Sequence, residues 1–396
     1  MWFFRSPTVV FGEDALLHIR ELRGKRAMVI TDKNINKAGM VAPVLFQLEH
    51  AGIQAQIFDE IEPEPSLETV ERCTDLALEF NPDWFVAVGG GSVMDAAKAV
   101  WILYENPEVD VDEINPLDPI VLREKARMVC VPTTAGTGSE ATWAVVLTDL
   151  RMGVPRKLTT GHPLATPDYA IVDPGMSSGM PPSLTADTGL DALTQGIEGF
   201  LATWRNDFSD GPCLTAVKLC FDYLERAYLE AHREKAQDIE AREAMANAAT
   251  LSGIGYVNSM VGLVHSLAHA SGAILKIPHG RACGLFLPYV IDFYVSPIEG
   301  GADAPQTRFV ELMNSLGEHY ESEQAAAARL SELVRSLLDK VDAPLTLQEA
   351  GVSHEDFEQV LSELVAAAST DTVLFTSPRQ PSEAELKRLL QSAYGA

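Results

Sequence analysis

Trp84-Phe85-Val86-Ala87-Val88-Gly89-Gly90-Gly91-Ser92-Val93 is the stretch on which the fold turns. Trp84 to Val88 is apolar, branched and aromatic, which reads as a buried strand, and Val93 to Tyr104 continues at helical spacing. Three successive glycines at the junction remove every Cβ from the turn. Backbone N–H groups and the positive end of the following helix can then approach a pyrophosphate closely. Tight strand-to-helix turns also use glycine, so the cluster alone leaves a phosphate-binding and a purely structural reading open.

Outward from this stretch the same alternation continues. Ala27 to Thr31 reads as a strand, Val41 to Ala51 as a helix, Gln54 to Phe58 as a strand, Leu67 to Phe80 as a helix, and Met128 to Val131 as a further strand. Alternating strands and helices imply a parallel sheet covered by helices, an α/β nucleotide-binding domain. From about Ser183 the strand signal fades. Ala, Leu, Glu, Lys and Met then recur at helical spacing, as in Phe221 to Ala248 and Gln324 to Val341, so a mainly helical domain is expected. Between the two, residues 160–183 carry Pro163, Pro167, Pro174, Pro181 and Pro182 with Gly161, Gly175 and Gly179. The expected boundary lies there, giving domains 1–180 and 181–396.

The chain has 396 residues, 46% of them hydrophobic and 22% charged, the balance of a globular protein with a large core. A formal net charge of -26 argues against nucleic acid or an anionic membrane as partner, because no basic run offsets the repulsion. Met1 to Phe11 holds only a short apolar stretch interrupted by Arg5, without the cleavage site of a secretory signal. No stretch approaches the roughly 18 apolar residues of a spanning helix. Cys73, Cys130, Cys213, Cys220 and Cys283 are odd in number and lack CxxC spacing, so neither a disulfide framework nor a thiolate zinc site is indicated. A reducing cytoplasm fits these features.

Three further groups of residues carry chemistry. Asp32 ends the Ala27 to Thr31 strand, where an acid can accept hydrogen bonds from a ribose and repel a 2′-phosphate, or can simply cap the next turn. The usual dinucleotide fingerprint puts the glycines after the first strand and the acid after the second; here the acid comes first. Pro132 to Glu140 follows a strand and is dense in Thr, Gly and Ser, whose hydroxyls and amides suit phosphate and ribose oxygens as well as ordinary loops. In the helical half, Asp191 and Gln195 share a helix face, His265 and His269 are four apart, and His279 follows Pro278. Imidazoles with a carboxylate are ligands of choice for zinc or ferrous iron, although any one of these histidines could equally be a hydrogen-bonded core residue.

Taken together, Gly89 to Lys98, Pro132 to Glu140, Gly189 to Glu198, Gly262 to His269 and Pro278-His279-Gly280 resemble the iron-containing alcohol dehydrogenases. The match runs in order from about Phe11 to Pro288 and is thinner beyond. The resemblance implies an α/β N-terminal nucleotide-binding domain plus an all-α C-terminal domain, a dehydroquinate synthase-like fold with the active site in the cleft between domains. It implies that Gly90, Gly91 and Ser92 hold the pyrophosphate of NAD, that Asp95 lies near the nicotinamide ribose, and that Thr133, Thr134 and Thr137 line the cofactor. Asp32 matches the position associated with NAD preference. Asp191, His265 and His279 match three ligands of one divalent metal, Fe2+ or Zn2+, and His269 matches a histidine on the proton path. A homodimer or larger homo-oligomer acting on a small alcohol or aldehyde is expected.

One position departs from the pattern: the family's fourth ligand is a histidine, and here it is Gln195. An amide oxygen binds late transition metals weakly. The outcomes are a three-ligand site with water in the gap, as in related glycerol dehydrogenases, a weak Gln195 contact, or loss of the metal; the first is favoured. The expected reaction is hydride transfer between an alcohol carbon and nicotinamide, with His269 relaying the proton. The alternatives are a dehydroquinate synthase-like lyase or cyclase with transient NAD redox, and a non-catalytic NAD-binding relative.

Overall fold

Short apolar, β-branched runs become the inner strands of the N-terminal half, and burial on both faces explains why Ala27 to Ile30 and Trp84 to Val88 show no polar alternation. The computed structural model describes residues 3–117, 119–151, 156–233, 238–298 and 307–395. The chain divides into two compact units, Met1–Met180 and Pro181–Ala396. The first is α/β and the second helical, as the sequence pattern leads one to expect.

In the first unit the strands are β1 (Thr8–Phe11), β2 (Arg26–Ile30), β3 (Gln54–Phe58), β4 (Trp84–Gly89), β5 (Arg127–Pro132), β6 (Ala144–Asp149), β7 (Arg156–Gly161) and β8 (Tyr169–Val172). Helices α1 (Lys33–Lys37), α2 (Ala42–His50), α3 (Leu67–Phe80), α4 (Gly91–Glu105) and α5 (Pro174–Ser177) connect them. Six strands form one sheet in the order β1-β8-β5-β4-β2-β3, every pair parallel. From β2 the chain steps to β3 on one side and returns to β4 on the other, so the order reverses between β2 and β4. Open α/β sheets bind ligands at such a switch point, outside the carboxyl ends of the strands. Asp32 follows β2 and Gly90 follows β4, so both lie at this place. The inverted order of acid and glycines in the sequence is thereby explained: the acid-bearing β2 comes first in the chain, and the glycine-bearing β4 returns to pair on its other side, opposite β3.

Four strands, β1, β6, β7 and β8, escape sequence reading. β8 sits between β1 and β5, inside a segment whose prolines and glycines suggest only a connection. Its run Tyr169-Ala170-Ile171-Val172 is too short to stand out among those punctuating residues. β6 and β7 form a separate antiparallel pair.

The second unit contains α6 (Pro182–Leu201), α7 (Asp207–Ala231), α8 (Ile239–Val257), α9 (Leu263–Leu275), α10 (His279–Val295), α11 (Phe309–Ser315), α12 (Glu323–Lys340), α13 (His354–Ser369) and α14 (Glu383–Tyr394). The helical stretch expected over Phe221 to Ala248 is two helices. Residues 234–237 of it lie outside the described residues, and Asp238 starts α8 anew by accepting the Ala241 N–H. Helix α6 packs on α7, α8 and α10, and α10 packs on α9, α12 and α14. Among the described residues no helix is long and apolar enough to cross a membrane.

Glycines in α6 set how closely its neighbours approach. A Cβ on Gly196 would meet the Val217 side chain at 2.9 Å and the Cys213 carbonyl at 3.0 Å. Glycine inside a helix costs up to about 1 kcal/mol against alanine. Overpacking typically costs about 1–3 kcal/mol, so the steric effect outweighs the propensity gain. Gly196→Ala is therefore expected to destabilise the helical unit by about 1–2 kcal/mol net, read as a lower midpoint in urea unfolding followed by circular dichroism; an unchanged or raised midpoint refutes this packing account.

Candidate metal centre

Asp191 lies inside α6, 3% exposed, and its Oδ1 is buried without a hydrogen-bond partner. An orphaned carboxylate oxygen in the interior is costly, so its surroundings indicate what it is for. His265 Nε2 is 3.5 Å away and His279 Nε2 is 3.6 Å away. Two donors about 2.1 Å from one ion at a tetrahedral angle would be about 3.4 Å apart, so the spacing is that of ligands sharing a cation. Burial pushes the Asp191 carboxyl up, yet the imidazoles of His279 and His265 hold it below its ordinary value. Asp191 is thus kept as the carboxylate, the form able to bind a cation. An oxygen and two imidazole nitrogens are a donor set suited to Zn2+ or Fe2+, so these residues fit a divalent metal.

Local sequence explains how three separate segments arrive here. Pro278 precedes α10, and its fixed φ makes His279 the first helical residue. His265 sits in the first turn of α9, whose free N–H groups attract an anion. Glu198, one turn from the end of α6, supplies it: Oε1 accepts the Val264 N–H at 2.7 Å and Oε2 the His265 N–H at 3.3 Å. The same Oε2 lies 2.6 Å from His265 Nδ1. With Nδ1 donating to Glu198, Nε2 is left as the lone-pair nitrogen facing Asp191. Burial pulls the His265 imidazole down, but neighbouring Cys283, Asp191 and Glu198 hold it well above its ordinary value.

His269, one turn along α9, faces a second carboxylate, with Nδ1 2.7 Å from Asp371 Oδ2. Its ring stacks on His279 at a centroid distance of 5.3 Å and an interplanar angle of 18°. Burial raises the Asp371 carboxyl, but its hydrogen bond and attraction to His269, together with the Val373 N–H and the His265 imidazole, leave it lowered. Gln195 is buried one turn after Asp191. Its Oε1 accepts the Ser252 hydroxyl at 2.7 Å, and its side chain hydrogen-bonds Asp191. Cys283 joins the group instead: ligand atoms of Asp191, His265, His279 and Cys283 all lie within 4.8 Å of one another. Burial pushes the Cys283 thiol up to about 12.

Glu198, Asp371 and Cys283 are absent from the expected site. Glu198 lies in a quoted motif, but its role toward His265 depends on α9 starting against α6. Cys283 follows His279 by four residues, a same-face spacing that could have flagged it. Asp371 is more than a hundred residues from its partner, and nothing local marks it.

In the first unit, α4 starts at Gly91 directly after β4, with Gly90 as its N-cap. A Cβ on Gly91 would lie 2.9 Å from the Thr137 methyl, and one on Gly90 3.3 Å from that of Thr134, so glycine lets the third loop close over the helix start. Thr133 Oγ1 is buried without a hydrogen-bond partner, a second orphaned polar atom beside this turn. These features fit a dinucleotide phosphate. Ser92 is in the first turn of α4. Asp32 caps α1, its Oδ1 accepting the N–H groups of Asn34 at 2.7 Å and Ile35 at 3.0 Å. Neither bond uses Oδ2. Asp95 is committed within the unit: Oδ1 accepts from Ser139 at 2.5 Å and Oδ2 from the Val146 N–H at 3.0 Å. Fully buried Lys98 donates to Ser139, Thr142 and the Ala144 carbonyl. Asp95 and Lys98 therefore fix the threonine loop against α4, a positioning role for Asp95 that the sequence alone does not suggest.

Residues 6–174 match the family described as iron-containing alcohol dehydrogenase, and residues 185–394 match its C-terminal family. An NADPH-dependent butanol dehydrogenase of Clostridium saccharobutylicum is 35% identical over 400 residues, covering 100% of this chain and 98% of that one. The bifunctional aldehyde-alcohol dehydrogenase of Escherichia coli K12 is 36% identical over 390 residues, 93% of this chain. The chain spans 43% of that longer protein. The crystal structure of a sulfoacetaldehyde reductase from Bifidobacterium kashiwanohense in complex with NAD+ superposes with a TM-score of 0.85 at 25% identity, covering 100% of this chain and 99% of that one. With both halves matched and a relative aligned from end to end, the chain belongs to the iron-containing alcohol dehydrogenase family.

Proposed function

We propose that the protein interconverts a small alcohol and its aldehyde or ketone, moving a hydride between the substrate carbon and the nicotinamide of NAD(H), with a divalent metal held by Asp191, His265 and His279. One observation carries this reading: the buried, unpartnered Asp191 Oδ1 faces two imidazole nitrogens at 3.5 and 3.6 Å. The metal, when bound, acts as the Lewis acid that stabilises negative charge developing on the substrate oxygen.

The chain's own residues supply the rest. Glu198 fixes the His265 ring and raises its basicity as a donor. His269, oriented by Asp371, is placed to take up the alcohol proton and pass it on, while Asp371 balances the charge the imidazole gains. Gly90, Gly91, Ser92 and the α4 N-terminus receive the pyrophosphate, with Thr133, Thr134 and Thr137 beside it. Asp32 Oδ2 is available to a ribose hydroxyl, and the carboxylate repels a 2′-phosphate, which favours NAD although the butanol dehydrogenase relative is named for NADPH. The five buried, free cysteines suit a reducing cytoplasm. Exposed Trp204 and Phe375, whose rings meet edge to face, offer an apolar surface for homo-oligomerisation.

Metal analysis of chelator-free protein and an NADH-linked screen of alcohols test the reading together. His265→Ala is expected to abolish metal retention and lower kcat/KM by about 10³-fold or more; full activity in that variant removes the ligand assignment. Glu198→Gln leaves the three ligands in place, and a loss of metal affinity of about 10- to 100-fold is expected by equilibrium dialysis. Asp32→Gly should narrow the preference for NAD over NADP by about tenfold or more, the worth of about 1.4 kcal/mol of relieved repulsion; an unchanged ratio of kcat/KM values removes Asp32 from cofactor selection.

A further inference from the structure

We propose that Cys283, and not Gln195, is the fourth protein donor of the metal centre, so that this chain holds its ion in an Asp–His–His–Cys set with a preference for zinc. The proposal rests on the reading that Asp191, His265 and His279 bind a divalent metal.

Cys283 lies on α10 one turn after His279 and is fully buried. Its Sγ is 3.7 Å from His279 Nε2, and a hydrogen bond also links it to His265. For a zinc–sulfur bond of about 2.3 Å and a zinc–nitrogen bond of about 2.1 Å, tetrahedral geometry separates sulfur from nitrogen by about 3.6 Å. The observed 3.7 Å stands beside 3.5 and 3.6 Å from Asp191 Oδ1 to the two imidazoles, and all four ligand atoms lie within 4.8 Å. An independent feature points to a cation here: Asp191 Oδ1 is buried with no hydrogen-bond partner.

Gln195 offers the opposite picture. Its Oε1, the atom it could present to a metal, is taken by the Ser252 hydroxyl at 2.7 Å. Its side chain also hydrogen-bonds the Asp191 carboxylate, so Gln195 positions a ligand without being one.

On binding, the Cys283 S–H bond breaks, a sulfur–metal bond forms and one proton leaves to solvent, with no change in oxidation state. The thiolate and the Asp191 carboxylate then balance the two charges of the ion in a buried site. A soft sulfur donor favours zinc or cobalt over ferrous iron, magnesium or manganese. Zinc can also take a fifth ligand, so a protein tetrad does not exclude substrate.

Cobalt loading of the full-length protein tests this. Wild type is expected to bind one equivalent of Co2+ with visible d–d bands and an intense near-ultraviolet thiolate charge-transfer band. Cys283→Ser and Cys283→Ala should keep the d–d bands, lose the charge-transfer band, and weaken Zn2+ at least tenfold while changing Fe2+ affinity far less. Gln195→Ala should keep the charge-transfer band. X-ray absorption at the zinc edge of wild type should show one sulfur per zinc at about 2.3 Å, a readout that does not depend on any variant folding. Bound cobalt or zinc without a sulfur neighbour overturns the proposal and leaves the three-ligand reading standing. Absence of stoichiometric metal binding in wild type overturns both.

Discussion

A carboxylate that cannot reach water is the constraint around which the helical unit is arranged. Asp191 is carried inward by α6 on a side away from Gly189 and Gly196, which abut α7, and without compensating positive charge it would cost several kcal/mol. The compensation cannot come from α6 itself. His265 is delivered by α9 and His279 by α10, and both helices must start within one turn of these residues for their Nε2 atoms to converge. Glu198 solves the first placement by capping α9 with the same carboxylate that orients His265, so helix position and imidazole tautomer are fixed by one group. Gly280 solves the second: a Cβ there would overlap the Asp187 carbonyl and lie 3.2 Å from the Asp191 Cβ, so only glycine lets α10 start this close to α6.

The α/β unit meets its constraint in the backbone. Crossing from β2 to β3 and back to β4 opens the strand order between β2 and β4, and the two features that suit a dinucleotide fall on either side. The Thr31 hydroxyl donates to the Val88 carbonyl at 2.7 Å, tying the ends of these strands together immediately before Asp32 and Gly89. Beyond them, Lys98 replaces water with three oxygen acceptors and Asp95 gathers the loop that carries Thr133, Thr134 and Thr137. A buried ammonium is tolerable only when so fully satisfied. The result is a threonine loop held rigidly over the start of α4.

Much of this could be read in advance because it is local. The glycine run, the strand before it and the helix after it depend on residues adjacent in the chain. The same holds for the i, i+4 spacing of Asp191 with Gln195 and of His265 with His269. β8 could not be read, since its place depends on pairing with β1 and β5 from distant parts of the chain. Asp95 was assigned to the cofactor by resemblance, and the structure shows both its oxygens engaged by Ser139 and Val146. Asp371 reaches His269 across 102 positions, a separation at which no spacing rule operates.

By itself the sequence determined the secondary-structure alternation, the change from α/β to helical character near residue 181, and which side chains were chemically able to bind a metal or a phosphate. Those properties follow from periodicity and residue type, which act over a few positions. Tertiary structure decided which of the able residues share a site. Gln195 turns to Ser252, Cys283 turns toward His279, and Glu198 acts on another helix. Such choices depend on where helices cross, and a crossing is set by packing among residues far apart in the chain.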